Sequence, residues 1–167
     1  MPNFLDLPLI SRIRRNHGLE HATLTALATR YPRGRIAGYS DPGGFWIVGN
    51  VDTEVLAEAA TEALERLRKG ERSLAVHPNC GTNFAVAGLF AGVAGALAML
   101  GSGKRMRDKL ERLPLAAALA TLALIIAQPL ALRIQAQVTT SGEPGDLVMT
   151  QVLCRQKDGL TIHRVST

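Results

Sequence analysis

The sequence predicts an α+β fold, a compact αββαβ domain with further strands towards its C-terminal end, interrupted by a two-helix transmembrane hairpin. Three observations carry this. Residues 84–100 (FAVAGLFAGVAGALAML) and 113–132 (LPLAAALATLALIIAQPLAL) are seventeen and twenty residues without a charge, close to the ~20 that a bilayer-spanning helix needs. Before them, runs of helical periodicity alternate with short β-rich runs bounded by turn residues. After them, only short β-rich runs return. The boundaries follow: 1–80 with 133–167 form the α/β domain, and 81–132 form the inserted hairpin.

Each element has a local reason. Asn16 is expected to cap a helix over 17–30, which Pro32 ends. Residues 35–40 and 45–51 read as strands joined by Asp41-Pro42-Gly43-Gly44, a turn with fixed and positive φ positions. Asp52 then caps an amphipathic helix reaching Lys69, with Leu56, Ala60, Ala63, Leu64 and Leu67 on one face and Gly70 as its stop. Residues 73–77 read as a short strand. Beyond the hairpin, 133–140, 147–155 and 160–165 read as strands, the last two joined by an Asp158-Gly159 turn.

Composition narrows the class. The 167 residues are 47% hydrophobic and 4% aromatic, which excludes a disordered polymer and argues against a purely soluble domain. Two cysteines make no disulfide framework, so a reducing compartment is expected. The net charge of +5 comes largely from one segment, 104–112 (KRMRDKLER), with five basic and two acidic residues. A charge excess confined to the link between two apolar runs points to a lipid bilayer and away from nucleic acid. Gly88 and Gly92, with Ala91 and Gly95, give small-xxx-small spacings suited to close helix packing in lipid. The positive-inside rule is tied, because Lys104, Arg105, Arg107, Lys109 and Arg112 face Arg66, Arg68, Lys69, Arg72 and Arg133 on the other side. Residues 1–15 lack the order of a signal peptide. The expected location is therefore a bacterial cell membrane, multi-pass, with the main domain cytoplasmic, and with a second copy or another membrane protein as the associate.

The sharpest local signal is His17-Gly18-Leu19-Glu20-His21. On a helix, positions i, i+3 and i+4 share a face, so both imidazoles can grip one ion with Glu20 beside it. Two neutral nitrogens suit zinc and leave positions for a third protein ligand and a water, from which Glu20 can take a proton as general base. The missing ligand types stand in His77-Pro78-Asn79-Cys80. Cys80 is the expected third ligand, and His77 either replaces it or serves as a proton donor. His163 and Cys154 read as structural. Gly101-Ser102-Gly103-Lys104 lacks the first glycine and the Ser/Thr of a phosphate loop, and no G-x-S-x-G elbow supports a serine hydrolase.

The stretch 18–69, with GLEHATLTALATRYP, IAGYSDPGGFWIVGNV and VLAEAATEALERL, resembles the catalytic half of the pitrilysin and insulysin type of metallopeptidases, the inverzincins. S-ribosylhomocysteine lyase, which binds its metal through a comparable H-x-x-E-H and a cysteine, looks similar too. This resemblance implies a metallohydrolase-like fold with His17 and His21 as ligands and Glu20 as base. The glutamate that such peptidases use as third ligand would here fall in the first apolar run, and their large second half is absent. RNHGLEHATL, HPNCGTN and a two-span insertion together resemble a family of uncharacterised two-span bacterial membrane proteins. The expected function is a membrane-anchored zinc-dependent metallohydrolase, such as a peptidase. The competing expectation is a noncatalytic membrane-complex subunit with a structural metal or none.

Overall fold

The computed structural model describes residues 4–157 and 159–167. The chain is α+β and divides into two compact units, Met1–His77 with Ala136–Thr167, and Pro78–Gln135. The first unit holds helices α1 (Pro8–Arg30) and α2 (Thr53–Arg68) and strands β1 (Ala37–Asp41), β2 (Gly44–Val48), β3 (Gln151–Lys157) and β4 (Leu160–Ser166). The four strands form one antiparallel sheet in the order β1-β2-β4-β3.

Helix α1 starts at Pro8, nine residues before the expected start, with Leu7 as its N-cap. Proline suits a first helical position because the N–H it lacks would be unsatisfied there. Asn16 is therefore mid-helix and caps nothing. Fully buried, it donates from Nδ2 to the Asp41 carbonyl (2.8 Å) and accepts at Oδ1 from Thr167 Oγ1 (2.9 Å), tying α1 to the end of β1 and to the C-terminal residue. The helix closes at Tyr31, just before Pro32.

The β1–β2 hairpin turns through Pro42 and Gly43, with Asp41 paired to Gly44. Gly44 has φ of 137°, and a Cβ there would lie 2.0 Å from the Val165 carbonyl oxygen. Helix α2 begins as expected: the Asp52 carboxylate accepts from the Glu54 and Val55 amides, satisfying two otherwise orphaned donors. Leu56, Ala60, Ala63, Leu64 and Leu67 are all buried and pack with Leu19, Leu27, Phe45, Ile47 and Val165 in the core. On the opposite face of the sheet Tyr39, Trp46, Arg164 and Leu153 fall in register. There Arg164 forks onto Asp41 (2.7 Å twice) and lies over the Trp46 ring, holding the Asp41 carboxyl below the usual carboxylate range.

Two expected strands are not strands. Residues 72–75 form a 3-10 turn, Arg72–Ala75, closed by bonds such as Val76 N to the Ser73 carbonyl. Of the β-rich run 133–140, residues 133–139 are helical: a helix over Met106–Ile134 passes into a π-helical turn, Gln135–Thr139. A helix already nucleated propagates at little cost, which here overrides the β preference of Val138 and Thr139. The expected 147–155 strand begins only at Gln151, leaving Leu147 buried in a loop, whereas 160–165 holds as β4. Asp158 of the expected turn lies outside the described residues, while Gly159 has φ of 77°.

The second unit consists of α3 (Gly81–Met99) and α4 (Met106–Ile134). Both are long and apolar enough to cross a membrane, and only 6% and 11% of their most apolar windows are buried. The core helix of a soluble protein would show the reverse. They pack against each other, and the buried residues of the pair are alanines, Ala98 on α3 and Ala127 and Ala131 on α4. The expected glycine contact is not made within the chain, since a Cβ on Gly88, Gly92 or Gly95 would meet nothing within 4 Å. Alanine allows nearly the same close approach at about 1 kcal/mol less cost to the helix per position.

Candidate metal centre

One face of α1 builds the site. His17 and His21, one turn apart, have ring centroids 4.4 Å apart. His21 is 2% exposed, and its Nδ1 lies 2.8 Å from the Ala75 carbonyl oxygen. His17 Nδ1 lies 3.0 Å from that of Thr139. A carbonyl only accepts, so each Nδ1 carries the proton and donates it. In the neutral ring the lone pair then sits on Nε2. This is the outer-shell arrangement that fixes tautomer and ring orientation in metal-ligating histidines.

The two carbonyls come from the two segments that are not strands. Ala75 ends the 3-10 turn and Thr139 ends the π turn. Single π turns in helices occur often at functional sites. The segment carrying Thr139 is riveted to α1: Arg14 Nη2 donates to the carbonyls of Gln137 (2.9 Å) and Thr140 (3.2 Å), and Ser141 N donates to the Arg14 carbonyl (2.9 Å). Such an approach requires glycine inside the H-x-x-E-H motif. A Cβ on Gly18 would lie 2.1 Å from the Ser141 carbonyl oxygen.

The ring of His77 lies 5.7 Å from that of His21. Cys80, three residues on, is 6% exposed. His17, His21 and Cys80 each offer a ligand atom, and these atoms lie within 4.8 Å of one another. The cluster can hold a metal ion. Bound distances of about 2.0–2.3 Å to nitrogen and sulfur would draw the three donors slightly inward. Glu20 does not belong to this group. It is 3% exposed, Oε2 accepts from Ser40 Oγ at 2.5 Å, and its carboxylate fills the space where a side chain on Gly38 would stand.

His163 stands apart, fully buried on β4 between Ile47 and Cys154. Its Nε2 meets Thr53 Oγ1 at 3.1 Å, and its Nδ1 has no partner among the described residues. Burial pushes its pKa down, with the Asp52 carboxylate opposing. Cys154 is exposed. Arg14 and the carbonyls of Ala75 and Thr139 were not legible in the sequence. Main-chain oxygens carry no residue identity, so only Gly18, a poor helix former between two histidines, hinted at close backbone approach.

A family described as Domain of unknown function (DUF6391) matches residues 12–152. An uncharacterized protein of Picosynechococcus sp. is 46% identical over 98 residues, 53% of this chain and 48% of its own length. The chain thus spans about half the length of this relative. No solved structure matches it.

Proposed function

The chain belongs to the DUF6391 family, and we propose that it is a membrane-anchored zinc metallohydrolase acting on a peptide or another substrate near a bacterial membrane. The two proton-donating Nδ1 contacts carry this reading, because they orient both Nε2 atoms as ligands beside the Cys80 thiol. Helices α3 and α4 supply the anchor. Three protein ligands are the number a catalytic zinc uses, leaving one position for solvent or substrate. Bound there, zinc would supply Lewis-acid chemistry. Glu20, oriented by Ser40, is the proton acceptor in this reading. That role and the hydrolase-like fold rest on the H-x-x-E-H resemblance.

One observation favours a second reading. The His77 ring beside His21 offers a fourth donor, and four protein ligands make a closed, structural site of a noncatalytic membrane-complex subunit. Cobalt substitution separates the two. In the open site, the visible spectrum of the cobalt protein shifts on adding a hydroxamate or thiol, and Glu20→Gln keeps the metal. An unresponsive spectrum that becomes responsive in His77→Ala establishes the closed site and refutes the hydrolase.

A further inference from the structure

Helix α4 has 29 residues, about 43 Å at 1.5 Å per residue, against ~30 Å of bilayer hydrocarbon. The overhang is about nine residues by those two lengths. Residues 106–114 hold every charged residue of α4 except Arg133, so the overhang lies at this end. Its surface is two-sided. Met106, Leu110 and Leu113, at i, i+4 and i+7, are 70%, 56% and 51% exposed.

Both carboxylates of the segment are engaged locally. Glu111 pairs with Arg107 at 3.0 Å. Asp108 accepts from the Arg105 main-chain amide at 3.4 Å and occupies the space beside Gly103. Arg112 donates to the Ala98 carbonyl. Lys104, Arg105 and Lys109 are exposed and form no ion pair among the described residues. Three unneutralised cations beside a row of exposed apolar side chains match the chemistry of a membrane interface, with phosphates above and acyl chains below.

We propose that the α3–α4 tip docks on anionic phospholipid, with Lys104, Arg105 and Lys109 on the headgroup phosphates and the exposed row Met106, Leu110 and Leu113 against the interfacial layer, Leu113 nearest the acyl chains. This rests on the membrane reading of α3 and α4 given above. Juxtamembrane cations contribute about 1 kcal/mol each towards anionic lipid, or about fivefold in affinity.

The full chain, purified in a non-ionic detergent, is titrated with phosphatidylglycerol and with phosphatidylcholine and followed by native mass spectrometry. Wild type is expected to prefer phosphatidylglycerol. The K104Q/R105Q/K109Q variant is expected to lose that preference by on the order of 100-fold for three cations, with phosphatidylcholine binding and the circular dichroism spectrum unchanged. Equal affinity of wild type for the two lipids overturns the proposal, as does a preference that survives in the triple variant. Competition by inorganic phosphate would show a free-anion site and overturns it too. Release of the wild-type chain from membranes by alkaline carbonate overturns the membrane reading itself. Retention in carbonate with no lipid preference overturns only the docking surface.

Discussion

Gly18 sits where α1 and the segment bearing Thr139 touch. Adding one methyl group forces Ser141 away from the helix, and the Thr139 carbonyl that orients His17 moves with it. Gly18→Ala is therefore expected to cost about 1–3 kcal/mol in urea unfolding and to weaken metal binding by about 10–100-fold, as loss of an outer-shell partner does. Unchanged metal affinity would show that the carbonyl does not orient the ring. His163 gives a pH signature. Its folded pKa is lowered, so the unfolded chain takes up the proton first. The stability it contributes is present above the unfolded value near pH 6.5 and is lost as pH falls from there through the lowered folded value. With metal chelated in both proteins, His163→Gln should flatten the loss of stability as pH falls below about 6.5. Parallel stability curves would remove His163 as the cause. The spacing of His17, His21 and Cys80 was legible in the sequence, and the structure brings them together. The groups that orient the rings were not, because a main-chain carbonyl can come from any residue.

Elements were legible where their hydrogen bonds are local. Helix α2 could be read whole from Asp52, its apolar stripe and Gly70, and the β1–β2 hairpin from its Pro-Gly turn. Residues 73–77 and 133–140 could not, since their conformation depends on the neighbouring turn and on the helix running into them. Asn16 has the chemistry of a cap, but its tertiary partners Asp41 and Thr167 keep it inside a helix that Pro8 starts. The hairpin helices show the same limit. The glycine row was conspicuous, yet a Cβ on Gly88, Gly92 or Gly95 would meet nothing within 4 Å, whereas Ala98, Ala127 and Ala131 are buried. Ala127 is 0% exposed. Ala127→Leu overfills this buried site and is expected to cost about 1–3 kcal/mol, read as a lower denaturation midpoint in a graded series of detergent mixtures, whereas Gly92→Leu, at a position with open space, should change it little. Equal effects of both would place the contact on neither row.

In the whole molecule, the α/β unit is interrupted in sequence, between His77 and Ala136, by the two helices long and apolar enough to cross a membrane. If α3 and α4 both cross the bilayer, single cysteines placed at Arg107 and at Glu143 are labelled from opposite sides of a sealed membrane. Labelling of both from one side would contradict a two-span hairpin. The central claim is the metal centre on α1. Its most direct test is elemental mass spectrometry of the detergent-purified protein. About one equivalent of zinc per chain is expected, as a single His2Cys site requires, lost in His17→Ala and His21→Ala and weakened in Cys80→Ser. Equally little metal in the wild type and all three variants would contradict it.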